Sequence, residues 1–408
     1  MTRVAPVYRW CVGSDGQAKP QRVGDLKQAV GRWEFTYSND YLALEDAVWE
    51  LDPRTIRTKG RSAFSRVGTV PHPVFCDVAL SGWALGMLEK RRDDLLGKDA
   101  DAQPWGWWER LMYAPADGFG ALFVGERDGK PNSETVLADA LAGVTHESLK
   151  QVLADSSSGA MGGERPKIAA RGKVGDRQVP VIIKFALPNE RMDNVVAEAT
   201  ALSLAAELGL QVPKHVVVRV GDVYALQVER FDRDVRGQAF HCVSAATALD
   251  MAPLTDPEDP RRNYVQLRSL LREPEDALEL FKRVVLNGMV GNYDDHPWNT
   301  SLMQTGLRTW RLTPLYDVQP FHARHATPAF RMAILKSGAR VGTRDNLIAA
   351  GKQIGGLKTD EASAEIIDQI QGHVRARWRA LFEHHGNAVD AKADDWVGVF
   401  EPKAKITP

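Results

Sequence analysis

Val290-Gly291-Asn292-Tyr293-Asp294-Asp295-His296-Pro297-Trp298-Asn299 is the stretch that decides how this chain is read. Asp294 stands five positions before Asn299, and a further acid, Asp317, follows in Leu315-Tyr316-Asp317. Phosphoryl-transfer sites use that spacing for three tasks: an Asp that orients a hydroxyl, an Asn for Mg²⁺ and a second Asp for Mg²⁺. The same residues would also make a polar turn or cap a helix, so the segment alone leaves both readings open. His296 has no partner at metal-ligand spacing, which argues against zinc or iron. If the spacing is functional, the rest of the site should lie upstream in a fixed order.

Around the loop the pattern agrees with that order. Ala277–Val290 sets Leu278, Phe281, Val284, Val285 and Met289 at helical spacing and predicts a core helix. Two short strands are expected to flank Thr305-Gly306, and the second, Trp310-Arg311-Leu312, runs into Pro314-Leu315-Tyr316-Asp317. Helix, acidic loop, hairpin and strand-end acid is the route by which a kinase-type catalytic loop reaches its metal site.

Upstream, Lys184 interrupts an apolar strand, Val181-Ile182-Ile183-Lys184-Phe185. A lysine there either faces solvent, as period-two alternation permits, or is paired. Glu198 lies fourteen residues on, in an Ala-rich helix expected from about Met192 to Leu208, with Asn189 as a candidate cap and Gly209 as the stop. A strand Lys and a helix Glu form the ion pair that positions nucleotide phosphates in kinases. Before them, Ser156-Ser157-Ser158-Gly159-Ala160-Met161-Gly162-Gly163 could fold over phosphates, Gly162 and Gly163 allowing close backbone approach. That segment is neither a Walker A motif nor a strict GxGxxG, and a surface linker is the alternative. The connector Glu229-Arg230-Phe231-Asp232 falls where backbone groups would meet an adenine and Asp232 a ribose hydroxyl, an assignment resting on chain order. Six parts in kinase order favour phosphoryl transfer more than any one of them does.

The organisation follows. Residues 1–66 read as a small β-containing unit, Gly31-Arg32-Trp33-Glu34-Phe35-Thr36-Tyr37 alternating as a half-buried strand should. The basic run Arg54–Arg61 is either a solvated loop or a phosphate contact. Trp83, Trp105, Trp107 and Trp108, in the helical stretch 75–115, are read as packing residues. Strands around Lys167–Ala170 and Val179–Phe185, joined at Gly175-Asp176, and strands Lys214–Val220 and Val223–Glu229 bracket the Ala-rich helix. Beyond residue 236 the pattern is mostly helical. The expected fold is α+β, a divergent bilobal kinase-like fold with an N-terminal β-containing subdomain (1–125), a small lobe (126–235) and a helical lobe (236–408).

A chain of 408 residues is long enough for two or three cores, and its 44% hydrophobic and 26% charged composition is that of a globular protein. The formal net charge of -1 gives no global basic field for nucleic acid. Cys11, Cys76 and Cys242 are far apart and without CxxC spacing, which points to reduced thiols and a cytoplasmic protein. The start of the chain lacks the apolar run of a signal peptide, and no stretch approaches the roughly 20 apolar residues of a membrane span.

The chain resembles the HipA family of bacterial toxin kinases. The likeness rests on Gly163-Glu164-Arg165-Pro166-Lys167, Val228-Glu229-Arg230-Phe231-Asp232-Arg233, Gly291–Asn299 and Leu312-Thr313-Pro314-Leu315-Tyr316-Asp317. It extends more loosely to Gly31–Phe35 and to Asp117-Gly118-Phe119-Gly120-Ala121-Leu122. The resemblance implies an ATP- and Mg²⁺-dependent serine/threonine protein kinase acting as the toxin of a toxin–antitoxin pair. It implies a translation component such as an aminoacyl-tRNA synthetase as substrate, with growth arrest as the result. A HipB-like helix-turn-helix antitoxin is the implied partner, and DNA would be met only through it. By motif, Asp294 matches the catalytic Asp, Asn299 and Asp317 the metal ligands, and Lys184 the phosphate-contacting lysine. Glu229 to Phe231 match the adenine hinge, and Asp232 a ribose contact. Ala160 stands where the family often carries a Ser open to autophosphorylation, with Ser157 and Ser158 displaced upstream, and Trp298 replaces a residue that is often basic. A small-molecule phosphotransferase of the aminoglycoside-kinase type is one alternative. A non-catalytic regulator in an antitoxin–DNA complex is another, and the intact Lys184, Asp294, Asn299 and Asp317 weigh against it.

Overall fold

The computed structural model of the protein describes residues 2–12, 16–44, 49–57, 62–90, 105–126, 167–186, 193–220, 223–236, 238–253, 255–321, 329–387 and 391–401. Along the chain run β1 (Arg3–Val12), β2 (Ala18–Ala29), β3 (Arg32–Tyr37), α1 (Asn39–Leu42), β4 (Ala63–Val67), α2 (Pro73–Val78), α3 (Gly82–Lys90), α4 (Trp107–Met112) and β5 (Leu122–Val124). Then come β6 (Lys167–Val174), β7 (Arg177–Phe185), α5 (Asp193–Glu207), β8 (His215–Val220), β9 (Val223–Glu229), β10 (Cys242–Ser244), α6 (Ala245–Ala248) and α7 (Tyr264–Arg268). The last elements are α8 (Pro274–Val290), β11 (Ser301–Gly306), β12 (Thr309–Leu312), α9 (Arg344–Gln353), α10 (Asp360–Gly386) and α11 (Val397–Phe400). These form two compact units. One takes Met1–Leu187, Val220–Val243 and Gly306–Arg308; the other takes Pro188–Arg219, Ser244–Thr305 and Thr309–Pro408.

The first unit opens with an antiparallel sheet in the order β4-β3-β2-β1-β5. In β3 the residues Trp33, Phe35 and Tyr37 are buried while those between them are not, the alternation expected of a strand with one covered face. Phe35 lies opposite Leu26 on one side and Phe64 on the other. The expected packing is present for two of the tryptophans: Trp108 stacks on Trp33 at 6.3 Å, and buried Trp105 meets Tyr113 edge-on at 5.1 Å, while the side chain of Trp83 lies outside the described part. In the basic run Arg57 pairs with the buried Glu50 at 3.5 Å; residues 58–61 lie outside the described part. Later in the unit β6 and β7 form a hairpin whose turn glycine, Gly175, has φ 60°. Lys167 sits opposite Lys184 in that hairpin, and β9 pairs with the far edge of β7, Val181 opposite Glu229.

The second unit is built on helices. α8 starts with Pro274 in its first turn, followed by Glu275 and Asp276, and ends at Gly291 in the left-handed conformation, φ 74°. Proline is pre-set for that first position, acids suit the positive helix start, and glycine takes the left-handed cap without a Cβ clash. The helix therefore begins three residues earlier than apolar periodicity alone indicates. α8 packs on α10, which in turn packs on α5 and α9. At the end of α10, Trp378 stacks on Phe400 at 5.1 Å and Phe382 leans on Trp396 at 5.8 Å. The three cysteines carry free thiols, Cys76 and Cys242 buried. Among the described residues no helix is long and apolar enough to cross a membrane.

Candidate active site

The Gly291 cap turns the chain sharply out of α8, and Asn292 N–H donates back to the Asn287 carbonyl at 2.8 Å. The two acids that follow meet opposite fates. Asp295 is 5% exposed and accepts from the Tyr264 hydroxyl and from Asn287 Nδ2, the latter at 2.8 Å. Burial pushes its carboxyl up, against the pull of the Tyr264 hydrogen bond. Asp294 keeps its side chain 45% exposed, with Arg331 Nε donating to Oδ1 at 2.8 Å. The loop is a tight turn: His296 N–H donates to the Asp294 carbonyl at 2.7 Å, and Asn299 N–H to the His296 carbonyl at 2.9 Å. Its far end is fixed at the start of α6, where Ala246 N–H reaches the Pro297 carbonyl and Ala245 N–H the Thr300 carbonyl. In these turns it is the Asp294 backbone carbonyl that is engaged, while its carboxylate meets the guanidinium of Arg331.

The segments bearing Asn299 and Asp317 are linked through the residues beside them. The Tyr316 hydroxyl donates to the Trp298 carbonyl at 2.9 Å and also meets Ser301 Oγ. The residue before Asp317 is thus tied to the residue before Asn299. Asp317 has φ 57°, a left-handed backbone that Asp tolerates better than most residues. Its approach is set by Arg283, whose Nη2 donates to the Thr313 carbonyl at 2.8 Å, and by Leu315 N–H on the Gln211 carbonyl at 2.7 Å. Asn299 Nδ2 makes one long contact, 3.4 Å, with the Asp294 carbonyl, which turns its amide oxygen the other way. An amide oxygen and a carboxylate are hard donors of the kind Mg²⁺ takes, with water and phosphate oxygens completing its shell. The donor chemistry of the two side chains suits such an ion.

The other expected site residues divide between the units. Lys184, on β7, is 8% exposed, so it is a buried strand lysine and not a solvated one. Glu198, on α5 of the second unit, is 1% exposed. Glu229 faces Arg177 at 3.7 Å, and the Phe231 ring meets Phe119 edge-on at 6.4 Å. Asp232 has other partners than the expected ribose hydroxyl. It is 2% exposed; Oδ1 accepts from Arg230 Nε at 2.9 Å, and Oδ2 from Gly120 N–H at 2.9 Å, Arg230 Nη2 at 2.9 Å and Arg233 Nη1 at 3.2 Å. Both arginines also reach Asp117, Arg230 at 3.2 Å and Arg233 at 3.0 Å. The two arginines outweigh burial and hold the Asp232 carboxyl down at about 2. A carboxylate so enclosed has a structural role: it locks the Asp117–Gly120 turn to the Glu229–Arg233 connector. Gly162 and Gly163, the whole Ser156–Gly163 segment with Ser157, Ser158 and Ala160, and Asn189 lie outside the described residues.

Three residues around the loop escaped sequence reading: Tyr264, Asn287 and Arg331. Arg331 is 37 residues from Asp294 and Tyr264 is 31 from Asp295, and no spacing rule links either pair. The acidic run Asp256–Asp259, the kind of run that would draw a cationic small molecule, is engaged internally. Asp259 is paired with Arg261 at 2.8 Å and Glu258 with Arg340 at 3.2 Å, and Asp256 Oδ1 takes the Glu258 N–H at 2.8 Å.

Comparisons with known proteins bear on the family and the fold. The profile of the HipA-like C-terminal domain matches residues 159–378. Y4dM of Sinorhizobium fredii, which carries a provisional kinase name, is 26% identical over 241 residues, 54% of this chain and 56% of that protein. The chain thus spans about half the length of the curated relative it matches. The HipA of Shewanella oneidensis MR-1, solved with HipB and its operator DNA, superposes with a TM-score of 0.65 at 18% identity, covering 96% of this chain and 94% of that one. That likeness establishes the fold as the kinase-like α+β fold of HipA. The proinflammatory kinase CtkA of Helicobacter pylori is far more distant, with a TM-score of 0.39 at 10% identity over 58% of this chain and 96% of its own. With the family profile spanning more than half of its length and the acidic loop, its metal-type pair and the Arg-Phe-Asp-Arg connector inside that span, the chain belongs to the HipA family.

Proposed function

We propose that this HipA-family chain is an ATP- and Mg²⁺-dependent kinase that phosphorylates a serine or threonine hydroxyl of a protein. The observation that carries the reading is the Asp294 loop. It is anchored from beneath by buried Asp295, presents the Asp294 carboxylate half-exposed, and is tied through Trp298 and Tyr316 to the segment bearing Asp317. In this reading Asp294 accepts the hydrogen bond of the attacking hydroxyl and so aims its oxygen at the γ-phosphorus. Asn299 and Asp317 hold Mg²⁺ through their side-chain oxygens. When bound, that ion offsets the charge of the transferring phosphoryl group. Lys184 contacts the ATP phosphates, and Glu229 and Phe231 flank the adenine. Asp232 supports that connector from below.

The biological setting is proposed from the family. The Shewanella HipA was solved with HipB and operator DNA. By that likeness this chain would be the cytoplasmic toxin of a pair, held by a HipB-like helix-turn-helix antitoxin, with DNA met only indirectly. A net charge of -1 is in keeping with a protein that does not bind DNA alone. Its substrate would be a translation component such as an aminoacyl-tRNA synthetase, and its effect growth arrest. The internally paired Asp256–Asp259 run weighs against a cationic small-molecule acceptor. The test is to incubate the purified chain with radiolabelled ATP, Mg²⁺ and a heat-treated bacterial lysate. A labelled protein band that disappears in Asp294→Asn supports the reading; label in a small molecule, or no transfer, contradicts it.

A further inference from the structure

Arg331 follows Asp294 by 37 residues, yet it supplies the polar contact to the Asp294 carboxylate, Nε to Oδ1 at 2.8 Å. Its position is fixed twice over. Arg331 N–H donates to the carbonyl of Tyr293, the residue just before Asp294, at 3.2 Å. Its neighbour Phe330 is 2% exposed, packs on the Tyr293 ring at 5.6 Å, and fills the space a side chain on Gly342 would need, since a Cβ there would lie 2.9 Å from the Phe330 ring. The segment is secured further on, where Ala333 N–H donates to the Arg262 carbonyl at 2.8 Å and Asn263 Nδ2 to the Leu335 carbonyl at 3.0 Å.

An ion pair this open, 61% exposed on the Arg side chain and 45% on the Asp, contributes little to stability because water screens it. What it does do is fix the carboxylate plane. With Oδ1 held by a guanidinium whose backbone is pinned to the same loop, Oδ2 is left at a set angle for an incoming hydroxyl. We propose that Arg331 is a positioning residue for phosphoryl transfer, orienting Asp294 and thereby the acceptor hydroxyl; this rests on the kinase reading of Asp294. The bond uses Nε, so the guanidinium holds one oxygen instead of closing a bidentate fork over both. Asp294 is then competent only when the 329–335 segment is docked on its loop.

The experiment measures initial rates of transfer from radiolabelled ATP to protein in a heat-treated bacterial lysate, over a range of ATP concentrations, for the full chain and four variants. Arg331→Ala should lower kcat about 10²-fold, as misplacement of a reacting group does, with KM for ATP changed less than about twofold. Its thermal unfolding should match the parent chain. Added guanidine, well below denaturing concentrations, should restore part of the rate to Arg331→Ala and none to Asp294→Asn. Arg331→Lys, which keeps the charge but loses the planar donor, should fall between, and Arg331→Gln should stay near Arg331→Ala. A wild-type kcat in Arg331→Ala beside an inactive Asp294→Asn overturns the inference and leaves the kinase reading standing. A rise in KM for ATP with kcat unchanged also overturns it, since that places Arg331 on the nucleotide. Full activity in Asp294→Asn overturns the kinase reading and the inference with it.

Discussion

Asp294 and Asp295 are adjacent and identical in chemistry, and the fold sends them in opposite directions. Asp295 goes into the protein, between Tyr264 and Asn287, where burial raises its carboxyl and where it fixes the loop. Asp294 stays at the surface, where a carboxylate can meet a substrate. The spacing of Asp294, Asn299 and Asp317 was legible in the sequence because the three residues lie on one continuous run of chain. Arg331 and Tyr264 were not legible, because they reach the loop from other segments and no local pattern announces it. The enclosure of Asp232 was legible only in part for a related reason: its neighbours Arg230 and Arg233 stand beside it in the sequence, but Asp117 and the Gly120 N–H that complete the cluster lie over 110 residues away. Asp317 offers a prediction at this scale. Its left-handed backbone, φ 57°, is one that Asn also adopts readily, so Asp317→Asn should unfold within a degree or two of the parent. The same substitution should reduce Mg²⁺-dependent transfer at least about 10²-fold, since an anionic ligand is replaced by a neutral one. Melting curves beside transfer rates check both halves; activity near that of the parent would remove Asp317 from the metal site.

At the scale of elements, the helix that delivers the loop was read correctly in kind, and its core face follows the apolar spacing of Phe281, Val284 and Val285. Its true start at Pro274 depends on capping and charge at the helix end, which apolar periodicity does not record. The hairpin β6–β7 with Gly175 at its turn was legible for the same local reason. The first sheet was legible only in part. β3 shows its alternation, but β1 pairs with β5 across more than a hundred residues, Val7 opposite Val124, and such a partner leaves no short-range mark. The C-cap of α8 is the element on which the site turns. Gly291→Ala places a Cβ on a residue at φ 74°, which costs about 1–2 kcal/mol. The loop that starts there also positions Asp294, so transfer should fall together with the unfolding midpoint. Urea unfolding and the transfer assay on the same preparation test this; an unchanged midpoint would mean the cap is not strained by a side chain.

Over the whole molecule, buried polar clusters decide how the protein responds to its surroundings. In the first unit, Arg230, Arg233, Asp117 and Asp232 form a buried ion cluster whose charges balance. In the second, Ser203 Oγ lies between two imidazoles, 3.0 Å from His215 Nε2 and 2.9 Å from His385 Nε2. Burial, with help from His215 and His384, holds His385 down at about 4, and burial beside Arg9 holds His241 in the first unit at about 3. In the unfolded chain both take up a proton near 6.5. Between about 6.5 and about 4 the unfolded state therefore binds more protons, and stability rises with pH across that window. The protein should lose stability steadily as pH is lowered from 6.5 towards 4, and His385→Gln should flatten part of the slope. Urea midpoints at several pH values measure it, and a parent profile that is flat across the window would contradict the buried neutral histidines. The fold likeness covers 96% of the chain and the family profile residues 159–378, whereas the chemistry is proposed from a few residues, so the decisive measurement is at Asp294. Transfer of radiolabelled phosphate from ATP to protein in the presence of Mg²⁺ should occur with the parent chain and vanish in Asp294→Asn, with folding retained. Equal labelling by the two, or none by either, would contradict the account.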